Sequence, residues 1–285
     1  MKHSLLLSAF LLSSAAFATS YPVTVTDDRG RQVTLEREPK RIVSLIPSST
    51  ETLCAIGVCD RIVGVDNFSN YPEQVNRLPK LGGMNANLEE VVKLRPDVVF
   101  VAENSRSVEQ LERAGLRVFV GTAQTYAEIF EKIQTLGKLV NHERQATQVV
   151  ANIKRDIQRV EAALKGVRPV SVYFEVDASG YTAGPNSFIG ELLKRAGGRN
   201  VVPANLGDFP KISPELVLTR KPQVIVGATL EAVSARPGWN TVPAVQARRV
   251  YGFTPLERDA VVRPGPRVAQ GLEVLARMLH PELRR

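Results

Sequence analysis

The chain has 285 residues, 44% of them hydrophobic and 23% charged, with a formal net charge of +8. That length accommodates two domains of about 100 to 150 residues, and the composition is that of an ordinary globular protein. Lys and Arg are scattered without a run or stripe, so the positive balance does not read as a nucleic-acid surface, and no nucleic-acid partner is expected.

Met1-Lys2-His3 is a short basic start, Leu5 to Leu12 an apolar core, and Ala16-Phe17-Ala18 a small-x-small cleavage site. These are the parts of an export signal, residues 1–18. The apolar run is too short to span a bilayer, and no later segment approaches the ~20 apolar residues of a transmembrane helix. With no Cys after Ala18, the expectation is a soluble periplasmic protein without a lipid anchor.

The mature chain opens on alternating β-branched residues around Asp27-Asp28-Arg29-Gly30, the pattern of a hairpin over Tyr21 to Leu35. Arg41 to Ile46 reads as a buried strand. In the loop that follows, Ser48 and Glu51 have capping-box spacing, so a helix is expected from near Ser49 to Ile56, stopped by Gly57 in the left-handed region. Cys54 and Cys59, the two cysteines of the chain, admit two readings. A turn at Gly57 brings them within disulfide reach in an exported protein, or they are two buried thiols. With no His nearby, they are not expected to hold a metal.

Leu88-Glu89-Glu90-Val91-Val92-Lys93-Leu94-Arg95-Pro96-Asp97-Val98-Val99 has a second copy in Pro214-Glu215-Leu216-Val217-Leu218-Thr219-Arg220-Lys221-Pro222-Gln223-Val224-Ile225, 126 positions later. Each is a short helix feeding a buried strand, ended by a proline that pushes the residue before it out of the helical region. A repeat at this distance is too long for a solenoid and fits two facing α/β lobes. Between them, residues 126–165 carry apolar side chains three and four apart without proline, from Ile129 to Leu164. This is helix, either one rod or two in succession with a break at Asn141-His142-Glu143. A helical spacer cannot absorb a large dihedral change, so lobe motion is expected to be small. The expected organisation is an N-terminal lobe over 19–125, a helical linker over 126–165 and a C-terminal lobe over 166–285. In the last, Val170 to Phe174 is a strand, Asp177 to Asn186 a loop, and Ser187 to Arg195 a helix closed by Gly197-Gly198.

No catalytic constellation is present in the sequence. His3, His142 and His280 lie in the signal, the spacer and the C-terminal region, and Glu89-Glu90 point to different helix faces. Neither an enzyme activity nor a bound cofactor is expected.

Asp27-Asp28-Arg29-Gly30, Arg41-Ile42-Val43-Ser44-Leu45, Thr50-Glu51, Val63-Gly64-Val65, Asn87-Leu88-Glu89 and Leu94-Arg95-Pro96-Asp97-Val98-Val99 occur in this order. In this the chain resembles the helical-linker periplasmic binding proteins of ABC importers for cobalamin, haem and ferric siderophores. The resemblance implies two α/β lobes joined by a long α-helix, with the ligand cleft between them. Phe68-Ser69-Asn70-Tyr71-Pro72 and Gly82-Gly83-Met84-Asn85 are most similar to the vitamin B12-binding members. The resemblance implies ligand contacts at Tyr71, Phe68, Phe174, Phe209 and Asp259. It also implies cobalamin as ligand, with haem or a ferric siderophore as the alternative, Tyr71 then ligating iron and Arg263 and Arg267 meeting anionic groups. Two tryptophans of the B12-binding members are replaced by Gly82 and Ala102. Glu89 and Glu215 fall where the family docks on its permease dimer, one acid per lobe of a receptor expected to be monomeric.

Overall fold

A computed structural model describes residues 20–283; the expected export signal lies outside them. β1 (Val23–Thr26) and β2 (Gln32–Leu35) form the antiparallel hairpin, turned by Gly30 at φ 73°. β3 (Ile42–Leu45), β4 (Ile62–Val65), β5 (Val98–Val101) and β6 (Val118–Val120) make a parallel sheet in the order β4-β3-β5-β6. β7 (Val170–Phe174), β8 (Gly198–Asn200), β9 (Val224–Val226) and β10 (Val250–Tyr251) make a second, in the order β10-β9-β7-β8. Counting strands from the start of each sheet, both have the order 2-1-3-4, so the repeat seen in sequence is also a repeat of topology. Strands such as β3, β5 and β9 are buried at every residue, as strands covered by helices on both faces must be.

The helices of the first sheet are α1 (Pro47–Ala55), α2 (Leu88–Lys93) and α3 (Val108–Arg113). α1 begins two residues earlier than expected. Ile46 is its N-cap, without a side-chain cap, and Pro47 occupies the first turn, where a missing N–H costs nothing. The Ser48–Glu51 spacing therefore makes no capping box, and Glu51 is free for another role. Gly57 ends the helix at φ 87°, as expected.

The linker stretch is two helices, α4 (Tyr126–Leu139) and α5 (Glu143–Ala163), separated at Asn141, whose φ is 60°. They fold back on one another: a Cβ added to Gly137 would lie 2.4 Å from the Cβ of Ala146. α4 packs on α1 and β1, while α5, 21 residues or about 31 Å long, reaches the second lobe. Ala146, Val150, Ile153 and Ile157 form its buried face.

The second lobe adds α6 (Phe188–Arg195), α7 (Pro214–Arg220), α8 (Leu230–Ser234), α9 (Pro243–Gln246), α10 (Pro255–Val262) and α11 (Val268–Leu279). Ser187 caps α6 by accepting the Gly190 N–H at 3.0 Å. Gly198 opens strand β8 rather than closing the helix. In both copies of the repeat the residue before proline leaves the helix as expected, but into the left-handed region, Arg95 at φ 46° and Lys221 at φ 47°. α11 packs along α5 and α6. One hydrophobic cluster runs from Phe100 and Ile133 through Ile153 to Phe174 and Leu272, so the lobes share a continuous core.

Candidate functional site

Open parallel sheets bind ligands beyond the carboxyl ends of their strands, where the order reverses. Here those places are the loops beyond β3, β4 and β5 in one lobe and beyond β7 and β9 in the other. The loop after β4 is built on Asp66, which is 2% exposed. Its carboxylate accepts the N–H groups of Phe68 (2.7 Å) and Ser69 (3.1 Å) and the Ser69 hydroxyl (2.5 Å). Burial pushes the Asp66 carboxyl above its ordinary pKa, against the pull of those donors. Fixed in this way, the loop holds the Phe68 ring outward, 61% exposed. The ring lies over Gly83, where a Cβ would come within 3.2 Å of it. Gly82 has φ +105° and no room for a side chain, since a Cβ would sit 2.4 Å from the Asn85 carbonyl oxygen. That turn excludes tryptophan on backbone grounds.

The lobes meet across this loop. Arg263 Nη1 donates to Glu51 Oε1 (2.8 Å) and to Asn70 Oδ1 (2.8 Å), and its Nη2 donates to the Phe68 carbonyl (2.9 Å). Asp259 Oδ2 lies 3.0 Å from Arg263 Nη2 and accepts from Asn70 Nδ2 at 3.0 Å. Behind this layer, Arg267 Nε and Nη2 donate to Glu51 Oε2 (2.8 Å) and Oε1 (2.7 Å), and its guanidinium stacks 4.3 Å from the Tyr71 ring centroid. Glu51 and Arg267 are both buried. Burial opposes the charge of Arg267, but hydrogen bonding and attraction from Glu51 outweigh it and raise the guanidinium pKa. Two guanidinium groups thus meet two carboxylates, and the floor between the lobes is close to neutral. Charge-assisted pairs of this kind also fix orientation.

Tyr71, Phe68, Asp259 and Arg263 are therefore brought together, with Asn70 and Glu51 as members the sequence reading did not assign. The spacing of Arg263 and Arg267, four residues apart, was the available sequence signal for this cluster, and nothing local in the sequence marks Glu51 as their partner. Tyr71, preceding a cis proline, also lines a pocket of about 420 Å³ bounded by α1, α5 and the start of α11. Phe209 sits on the loop after β8, 6.4 Å from the Phe188 ring and partly exposed. Phe174 is different: expected as a ligand contact, it is 1% exposed and packs against Phe253 at 6.0 Å. It ends β7, flanked by β8 and β9, and helices cover its faces, so its ring belongs to the core.

Glu89 and Glu215 are exposed, each the second residue of its helix. Backbone N–H donation and Ser213 hold the Glu215 carboxyl below its ordinary pKa. The sulfurs of Cys54 and Cys59 are at bonding distance, with their Cα atoms 4.1 Å apart across the end of α1. His142 lies against the Ile56 carbonyl and His280 against that of Gly197. Among the described residues no three His, Cys, Asp or Glu side chains are grouped to hold a metal ion.

Comparison with known proteins gives consistent results. The family described as periplasmic binding protein matches residues 42–255. The chain is 36% identical over 276 residues to an uncharacterized ABC transporter substrate-binding lipoprotein of Bacillus subtilis, covering 92% of this chain and 87% of the relative. It is 30% identical over 280 residues to a cobalamin-binding protein of Halobacterium salinarum, covering 92% and 75% respectively. Among solved structures, a possible iron-binding periplasmic solute-binding protein of Staphylococcus epidermidis superposes with a TM-score of 0.76 at 28% identity, over 86% of this chain and all of the other.

Proposed function

This chain belongs to the periplasmic binding protein family, and from that membership we propose that it captures a corrinoid, cobalamin, and delivers it to the permease of an ABC importer. Its work is capture and delivery, with no chemical step. The observation that carries the ligand assignment is the pairing of exposed aromatic rings, Phe68, Tyr71 and Phe209, with a floor whose cations are already matched by Glu51 and Asp259. Rigid aromatic faces supply contact area for a large flat macrocycle. A polyanionic ferric siderophore would require free cations, and Arg263 and Arg267 are engaged. Similarity to a cobalamin-binding protein supports the same ligand.

Haem is the second reading, favoured by one feature: Tyr71 is part-exposed, and a phenolate is an iron ligand. Titration calorimetry separates the two. Cyanocobalamin should release or absorb heat with one-site stoichiometry and bind at least tenfold more tightly than haemin. No heat with cobalamins, together with a Soret shift on haemin that Tyr71→Phe abolishes, would assign the site to haem. In the same reading the export signal is cleaved after Ala18, leaving a monomeric receptor in the periplasm, and Glu89 and Glu215 meet the permease.

A further inference from the structure

Because each sheet is parallel, the amino ends of its four strands share one edge, opposite the cleft. In the second sheet every strand starts beside basic residues. These are Lys165 and Arg168 before β7, Arg199 in β8, Arg220 and Lys221 before β9, and Arg248 and Arg249 before β10. All are exposed except Arg249, which is half-buried and donates to the Leu279 carbonyl. None of the seven forms a salt bridge among the described residues. Glu282, beside His280 and within the field of Arg249, offsets part of one charge.

The corresponding end of the first lobe is also basic and is partly compensated, with Arg41, Arg95 and Arg117 exposed there and in no salt bridge among the described residues. Glu38 pairs with Arg61 at 2.7 Å and Lys40 at 3.1 Å, and Asp97 with Arg37 at 3.4 Å. Uncancelled positive charge is thus densest at this end of the second lobe, where six exposed cations are without a salt bridge among the described residues, against three in the first. Cations at helix ends are favoured by the helix dipole, which covers Arg220, Lys221 and Arg248 but not Arg168 or Arg199. Lys221 and Arg248 also hold left-handed backbone, at φ 47° and 54°, where glycine is the less strained choice.

We propose that this end of the C-terminal lobe is a docking face for an anionic phospholipid bilayer. Four strands spaced about 4.8 Å apart spread the charges over roughly 14 Å in the sheet direction, comparable with the ~8–10 Å screening length, so they act together. They come from four separate loops at a blunt end, which matches a planar charged surface rather than the stripe or groove that follows a nucleic acid. α7 carries Glu215 in its first turn and Arg220 and Lys221 at its other end, so lipid contact leaves the acidic, cleft-side surface free. The face is a resting attachment between deliveries.

The test is co-sedimentation of the mature chain with vesicles of phosphatidylglycerol and phosphatidylcholine, against phosphatidylcholine alone, at low and high salt. Binding should require the anionic lipid and vanish at high salt. Lys221→Gly with Arg248→Gly should weaken partitioning about fivefold per charge removed without lowering the melting temperature, because glycine suits both backbones. Arg106→Gln with Arg155→Gln, which removes the same charge from exposed positions elsewhere, should change it less than twofold. Equal losses in the two double variants, binding independent of anionic lipid, or no sedimentation would overturn the assignment. So would equally tight, equally variant-sensitive binding to duplex DNA, which would make the face a general polyanion surface.

Discussion

Glu51 shows how a residue's role can escape its local sequence. Three positions after Ser48 it has the spacing of a capping partner, yet its carboxylate meets Arg267, 216 positions away. A local pattern reads only what lies within a turn or two, and the guanidinium groups that claim this acid arrive on the last helices of the other lobe. Removing one member of a buried ion pair leaves the other charge uncompensated, at a cost of about 3–5 kcal/mol. Glu51→Ala should therefore lower the unfolding free energy by about that amount in urea titration. A change below about 1 kcal/mol would show that Arg267 finds water or another acceptor. Phe174 illustrates the opposite difficulty: an aromatic on a strand can face a ligand or the core, and what covers that face of the sheet decides which. Glycine was more legible than either, since Gly57 and Gly30 sit in the left-handed turns their positions announced.

At the level of elements, long periodic segments and the helix-proline-strand repeat were readable because hydrophobic spacing sets them. β8 and β10 were not, being three and two residues long, too short to show a period. The break between α4 and α5 was visible as an option, but the fold-back depends on Gly137 meeting Ala146, a contact between helices that no single-helix pattern encodes. The end of α1 carries a measurable consequence. We expect Cys54 and Cys59 to be joined in the exported protein, so alkylation of the unreduced, denatured chain should label no thiol. Reduction should cost about 2 kcal/mol, as expected for so small a loop. Two labelled thiols would refute the pairing and leave the fold as described.

For the whole molecule, the shared strand order places Glu89 and Glu215 at equivalent points of the two lobes, each in the first turn of the helix that feeds the third strand. If both meet permease arginines, each truncation removes a charge-assisted contact of about 1.5 to 3 kcal/mol. Glu89→Ala and Glu215→Ala should each weaken docking roughly ten- to a hundredfold, nearly additively, with ligand affinity unchanged. Reconstituted uptake at low receptor concentration measures this, and full uptake by the double variant would remove both residues from the interface. The first sheet is complete by Val120 and the second begins at Val170, so the chain passes between them once, through α5, and no strand is exchanged. Tandem copying of a single ancestral half yields this connectivity directly. A lobe from a related receptor can then be grafted as one uninterrupted segment, provided the graft keeps the seam of Glu51, Arg263 and Arg267 and the apolar face of α5.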